Sequence, residues 1–224
     1  MNKSSQISND LGNRFAQHLL ALNSEITPAE AQALWLDIAA RYNETQRAYH
    51  SLRHLQQLLV EFEQIAQYLC EPHLIALALY YHDVIYNPLR SDNEQKSADY
   101  MLDKLNCYLS DDQCHYVYAL IMMTATHQLG ELTNNQRRRD AAYLLDMDLS
   151  ILGAPWPEYE RYAQAVRCEY THVPIADYRV GRTKVLKFLL AHSPLYLTDY
   201  YHQRLDVQAR ANIEREIMLL RASE

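Results

Sequence analysis

The chain has 224 residues, 49% hydrophobic and 22% charged, long enough to bury a core without staples. Its 4 glycines, at 12, 130, 153 and 181, leave no GxGxxG and no P-loop, which argues against Rossmann, P-loop and most turn-rich all-β folds. A net charge of −7 argues against non-specific nucleic-acid binding, so an anionic ligand would need a local patch or a metal.

The chain reads as helix after helix. The first residues are polar, with no apolar targeting segment, and an N-terminal helix is expected within 1–26, part of it mobile. Thr27-Pro28-Ala29-Glu30 is a capping box with Pro at the first helical position, and predicts a helix to about Tyr42. Leu52, Leu55, Leu58, Leu59, Phe62 and Ile65 line one face of a second helix, from about Tyr49 to Leu69. Glu71-Pro72 opens a third that is apolar nearly all round to Tyr81, the mark of a helix buried on every side. Its apolar run from Leu74 to Tyr81 is far too short to span a bilayer. After a break at Asn87-Pro88, Asp92 is expected to cap a helix to about Leu109, and Ser110-Asp111-Asp112-Gln113 to start one to about His127. Further helices are expected at about Arg137–Leu152, Pro157–Tyr170, Pro174–Ala191 and Gln203–Ala222. No strand-like alternation, repeat or composition shift is evident. The expectation is one compact all-α domain over 1–224, of eight to ten helices. Cys70, Cys107, Cys114 and Cys168 form no CxxC and read as reduced, mostly buried thiols of a soluble, cytoplasmic protein with no membrane association.

The chemistry-bearing residues are histidines and acids inside apolar helices. A buried aspartate such as Asp83, after His82 at the end of the most apolar helix, is costly unless paired or bound to a cation. Alone, the dipeptide reads as a helix-end cap. His50 and His54 stand at i and i+4, on the helix that leads into the one ending at His82-Asp83. Two antiparallel helices joined by a short turn bring the start of the first to the end of the second, so His50 and His54 should meet His82 and Asp83. Asp146 and Asp148 lie in a further apolar helix. Two residues apart, they point in different directions, and at most one easily faces the same site. Two imidazoles and two carboxylates suit a divalent transition metal with positions left for water.

The order His54, His82-Asp83, Asp148 resembles the H…HD…D signature of the HD-domain superfamily of metal-dependent phosphohydrolases, in particular an uncharacterised bacterial branch. The phrases that carry the resemblance are Arg47-Ala48-Tyr49-His50 with His54, Tyr80 to Tyr86, Asp92-Asn93-Glu94 with Ser97-Ala98, Thr124 to His127, Leu145 to Gly153, Glu169-Tyr170 and Gly181-Arg182. It covers the chain from about Thr27 to the C-terminal helix. It implies a helical HD-type bundle and a divalent ion (Mn, Fe, Ni, Co, Zn or Mg) held by His54, His82, Asp83 and Asp148. Asp148 is preferred to Asp146 on the resemblance alone. His50 then looks like the proton donor or phosphate contact. Arg47 can reach an anionic substrate or be a solvated surface arginine. Glu94 can orient water or simply favour a helix N-terminus. His127 can bind phosphate or a second ion, or cap a helix end. Arg182 can clamp phosphate or pair with Glu169. His18, His73, His115, His172, His192 and His202 read as surface histidines. Tyr80, Tyr81 and Tyr143 read as core tyrosines.

The activity implied is hydrolysis of a phosphate ester or phosphoanhydride, with a small phosphorylated molecule, first a nucleotide, as substrate. Two other readings stay open. One is a di-iron oxygenase, which would need further ligands such as His115 or His127. The other is a metal-stabilised module that binds a ligand without turnover.

Overall fold

The computed structural model describes residues 3–222. Among them are ten α-helices, two short 3-10 helices and no strand, the all-α architecture expected. No described helix is long and apolar enough to cross a membrane. The chain divides into two compact units, Met1–Leu144 and Leu145–Glu224. The first two residues of the expected N-terminal helix lie outside the described residues.

The first unit holds α1 (Lys3–Leu22), α2 (Pro28–Tyr42), α3 (Leu52–Ile65), a 3-10 turn (Ala66–Tyr68), α4 (Pro72–Tyr81), α5 (Asn93–Leu105), α6 (Asp111–Thr124) and most of α7 (Asn135–Asp148). Both capping boxes form as expected, at Thr27 with Glu30 and at Ser110 with Gln113. Helix α4 is the centre of the unit: every residue from Leu74 to Tyr81 is buried, and α1, α3, α5 and α6 pack around it. Phe15 and Trp35 pack edge-on against Tyr80, with ring centroids at 5.1 and 5.9 Å. The Tyr80 hydroxyl donates to the Leu11 carbonyl at 2.8 Å, so its polar tip costs little in the core. Gly12 lets α1 lie close to α2, since a Cβ there would stand 2.5 Å from the Trp35 ring.

The start of α4 is fastened from a distance. Asp140 of α7, fully buried, accepts from the backbone N–H of Cys70 at 2.9 Å and of Glu71 at 2.8 Å. Those donors precede the first turn of α4, where a negative charge is favourable. Arg137, one turn earlier on α7, pairs with Glu71 at 2.7 Å and with Asp112 at 2.5 Å.

His18 and His73 are not the surface histidines expected. Both are half-buried, their Nδ1 atoms are 3.0 Å apart, and His18 sits edge-on to Phe62. Burial, then the neighbouring His73 and Arg14, hold the His18 imidazole down at about 4. The cysteines also depart from expectation: only Cys114 is buried, and Cys70, Cys107 and Cys168 are exposed free thiols.

The second unit holds a 3-10 turn (Leu149–Gly153), α8 (Trp156–Glu169), α9 (Ile175–Ala191) and α10 (Asp199–Ala222). Helix α10 packs on that turn and on α9. Asn212 donates to the Leu152 and Ala154 carbonyls, both at 2.8 Å, closing the turn against α10. Asp146 caps α10 from outside: it accepts from Leu197 N at 2.7 Å, Thr198 N at 2.8 Å and Thr198 Oγ1 at 2.6 Å.

Candidate metal centre

Helices α3 and α4 are antiparallel neighbours joined by a short connection, so the start of one lies beside the end of the other. His54 stands in the first turn of α3, His82 at the C-cap of α4, and Asp83 follows. The two buried imidazoles meet with Nε2 atoms 3.4 Å apart. Asp83 Oδ2 is 3.1 Å from His82 Nε2, 3.8 Å from His54 Nε2 and 3.9 Å from His50 Nε2. The expected meeting of these four side chains is thus present.

Asp148 is the last residue of α7. One ligand atom each from His54, His82 and Asp148 lie within 4.8 Å of one another, a spacing that can hold a metal ion. Asp140 anchors α7 at the start of α4, and Asp148 follows about 12 Å further along the same helix at 1.5 Å per residue. The neighbouring acid, Asp146, is taken up by the start of α10. Burial pushes its carboxyl up to about 6, against the bonds from Thr198 and Leu197 that favour the charged form.

The hydrogen bonding of His82 calls for a proton or a metal ion between its Nε2 and Asp83. His82 Nδ1 lies 2.8 Å from the Leu79 carbonyl, which can only accept, so Nδ1 carries the hydrogen. In neutral His82 the lone pair on Nε2 therefore points into the cluster, 3.1 Å from the Asp83 carboxylate. Two lone pairs at that separation repel unless a proton or a metal lies at them. A ring oriented by a backbone carbonyl through its far nitrogen is also how a ligating histidine is held. The donor set of imidazole nitrogens and carboxylates fits a divalent transition ion.

His50 is not on the helix. Helix α3 begins at Leu52 with Ser51 at its N-cap, so His50 stands in the turn before it. Its ring still lies 5.9 Å from that of His54 and stacks on Tyr86, with centroids 4.1 Å apart. Arg47 is neither a solvated arginine nor an open phosphate contact. Its side chain is buried and donates to the carbonyls of His50 at 3.1 Å, Asp83 at 2.7 Å and Val84 at 2.9 Å.

Glu94 lies in the first turn of α5, half-buried. Burial, then the nearby Asp83 charge, raises its pKa, while His127 and His82 pull it down, so Glu94 senses the same cluster. The loop between α4 and α5 is pinned by α5 itself. Ser97 exchanges hydrogen bonds with Ile85 N at 3.1 Å and Ile85 O at 3.2 Å, and the Asn93 side chain brackets Asn87 at 2.9 and 3.0 Å. Asp92 makes no cap bond; it pairs with Arg90 at 2.5 Å.

His127 closes α6 in the left-handed region, φ 52°, with its N–H on the Met123 carbonyl at 2.9 Å. That place is usually taken by glycine or asparagine, and an imidazole there carries a backbone cost of about 1–2 kcal/mol. Arg182 is buried in the second unit. Its partner is Glu216, at 2.8 and 3.1 Å, and it donates to the Tyr162 hydroxyl at 3.2 Å. Burial disfavours its charge, but Tyr162 and Glu216 more than offset that and hold its pKa well above the usual value.

Sequence reasoning missed Tyr86 as the platform under His50, Leu79 as the carbonyl that orients His82, and Asp140 as the anchor of α7. Only Tyr86 left a trace, as an aromatic three residues after Asp83. No known family model and no curated protein matches the chain.

Proposed function

We propose that the chain is a metal-dependent phosphohydrolase of the HD type, acting on a phosphate ester or phosphoanhydride, with nucleotides the first substrate class to test. The observation that carries this reading is the convergence of His54, His82 and Asp148, with Asp83 3.1 Å from His82 Nε2. His54, His82, Asp83 and Asp148 would hold the ion. A divalent ion bound there lowers the pKa of water and polarises a phosphoryl oxygen, the chemistry that hydrolysis at phosphorus requires.

The protein's own groups have separate tasks. The Leu79 carbonyl keeps the proton on His82 Nδ1 and leaves Nε2 to ligate. His50, part-exposed and stacked on Tyr86, is placed to protonate the leaving oxygen when its ring is imidazolium. Glu94 accepts a hydrogen bond from water and orients it.

The test is a screen of the purified protein loaded in turn with Mn, Fe, Co, Ni, Zn or Mg, against nucleotides and phosphomonoesters, with Asp83→Ala as control. Metal-dependent phosphate release that the control lacks is the expected result. Tight metal binding with no turnover on any phosphorylated compound would refute hydrolysis and leave a binding module. Two irons per chain would point to an oxygenase.

A further inference from the structure

Arg47 makes four side-chain hydrogen bonds, and its partners are not those of a substrate-binding arginine. Nη1 donates to the carbonyls of His50 at 3.1 Å and Asp83 at 2.7 Å, Nη2 to that of Val84 at 2.9 Å, and Nε to Glu44 at 3.2 Å. The guanidinium also lies over the rings of Tyr42, at 5.1 Å, and Tyr86, at 5.6 Å. Burying a guanidinium costs several kcal/mol, which only good geometry offsets. Here that geometry consists of main-chain carbonyls from two stretches far apart in sequence. One is the turn before α3, which carries His50 and leads to His54. The other is the turn after α4, which carries His82 and Asp83.

We propose that Arg47 is a positioning residue of the metal centre: one planar fork holds the carbonyls of His50 and Asp83 and so sets the spacing between the two stretches that supply the site. The inference rests on the metal-centre reading above. A lysine cannot replace the fork, because a single ammonium has no fixed pair of parallel donors. Tyr86 extends the same device. It lies under the Arg47 guanidinium and against the His50 ring, so the cation fixes His50 at its backbone and at its side chain.

The test is the Co2+ absorption spectrum and affinity of the wild type and of Arg47→Lys, with the melting temperature measured alongside. The expected result is binding about 10–100-fold weaker in Arg47→Lys, the usual range for groups that orient metal ligands, with a shifted visible band. An unchanged affinity and band, with only a lower melting temperature, would mean that Arg47 is structural and overturn the inference. A second measurement needs no variant. In the wild type the Arg47 Nε–H resonance should shift on adding Zn2+ and stay in place on adding inorganic phosphate. A shift with phosphate and none with Zn2+ would make Arg47 a substrate contact and overturn the inference. If Arg47→Lys does not fold, this measurement decides. A wild type that binds neither Co2+ nor Zn2+ would refute the metal centre itself, a failure distinct from a metal centre that ignores Arg47.

Discussion

Replacing Asp140 with alanine removes one carboxylate and leaves two backbone donors, Cys70 N and Glu71 N, without their acceptor. Each unsatisfied donor costs about 1–3 kcal/mol where water cannot reach it, and a lost charge at a helix start about 0.3–1 kcal/mol more. Two effects reduce the sum. Cys70 is exposed and Glu71 part-exposed, so water can reach one of the donors. Burial also raises the pKa of Asp140, so its removal recovers some desolvation. The expected net loss is about 2–3 kcal/mol. The chain has one tryptophan in each compact unit, Trp35 and Trp156. Urea unfolding followed by Trp35 fluorescence in a Trp156→Phe background therefore reports on the unit that contains Asp140. The midpoint should fall with little change in slope. Asp140→Asn should fall less far than Asp140→Ala, because Oδ2 alone accepts from both donors and an amide oxygen in its place can still serve them, without the charge. A loss under about 0.5 kcal/mol for Asp140→Ala would refute the anchoring role, since surface substitutions away from such features stay within that range.

Three further outcomes follow from particular side chains. Asp148→Ala should abolish most metal binding at nearly unchanged stability, whereas Asp146→Ala should leave metal affinity in place and lower stability by about 2 kcal/mol through the lost cap of α10; calorimetry with Mn2+ and urea titration should give opposite orders for the two, and equal metal loss would contradict the assignment. His18 takes up its proton near 6.5 when unfolded and near 4 when folded, so its contribution is complete above about pH 6.5 and is lost as pH falls toward 4. The ceiling is about 3 kcal/mol, nearer 2 after solvent screening, and a His18→Gln variant that loses as much stability as wild type between pH 7 and 4.5 would show that another group is responsible. Gly181→Ala should raise stability by about 0.5–1 kcal/mol, because a Cβ there meets nothing within 4 Å, while Gly12→Ala should lower it by about 1–3 kcal/mol through overlap with Trp35; thermal melts that move in the same direction for both would overturn this contrast.

Local signals were legible where one residue decides them. Thr27 and Ser110 start helices because their hydroxyls cap the third N–H, and α4 is central because nothing polar interrupts Leu74 to Tyr81. The meeting of His54 with His82 and Asp83 followed from two adjacent antiparallel helices. The position of His50 did not follow. An i, i+4 spacing reads the same in a helix and in the turn before one, and nothing in it shows that the His50 carbonyl is bonded by Arg47. Arg47 could be seen as a charge but not as a direction. Asp140 sits in the polar run Gln136-Arg137-Arg138-Arg139-Asp140, which resembles a solvated face, and its partners lie 69 and 70 residues away. The His18–His73 pair is hidden for the same reason, at a separation of 55.

Helix α7 also behaves as a gauge. Asp140 pins it beside the first residues of α4, and Asp148, at its far end, reaches the imidazoles of His54 and His82. Between pin and tip the side chains from Ala141 to Met147 are buried, and the count of residues matters alongside their identity. A single residue inserted after Asp140 would turn Asp148 by about 100° and advance it by about 1.5 Å, swinging the carboxylate off the imidazoles without touching any ligand. Four inserted residues would restore the angle to within about 40° yet place the carboxylate about 6 Å too far on. The interval from 140 to 148 thus answers to two demands on its length at once, the start of one helix and the reach to two imidazoles.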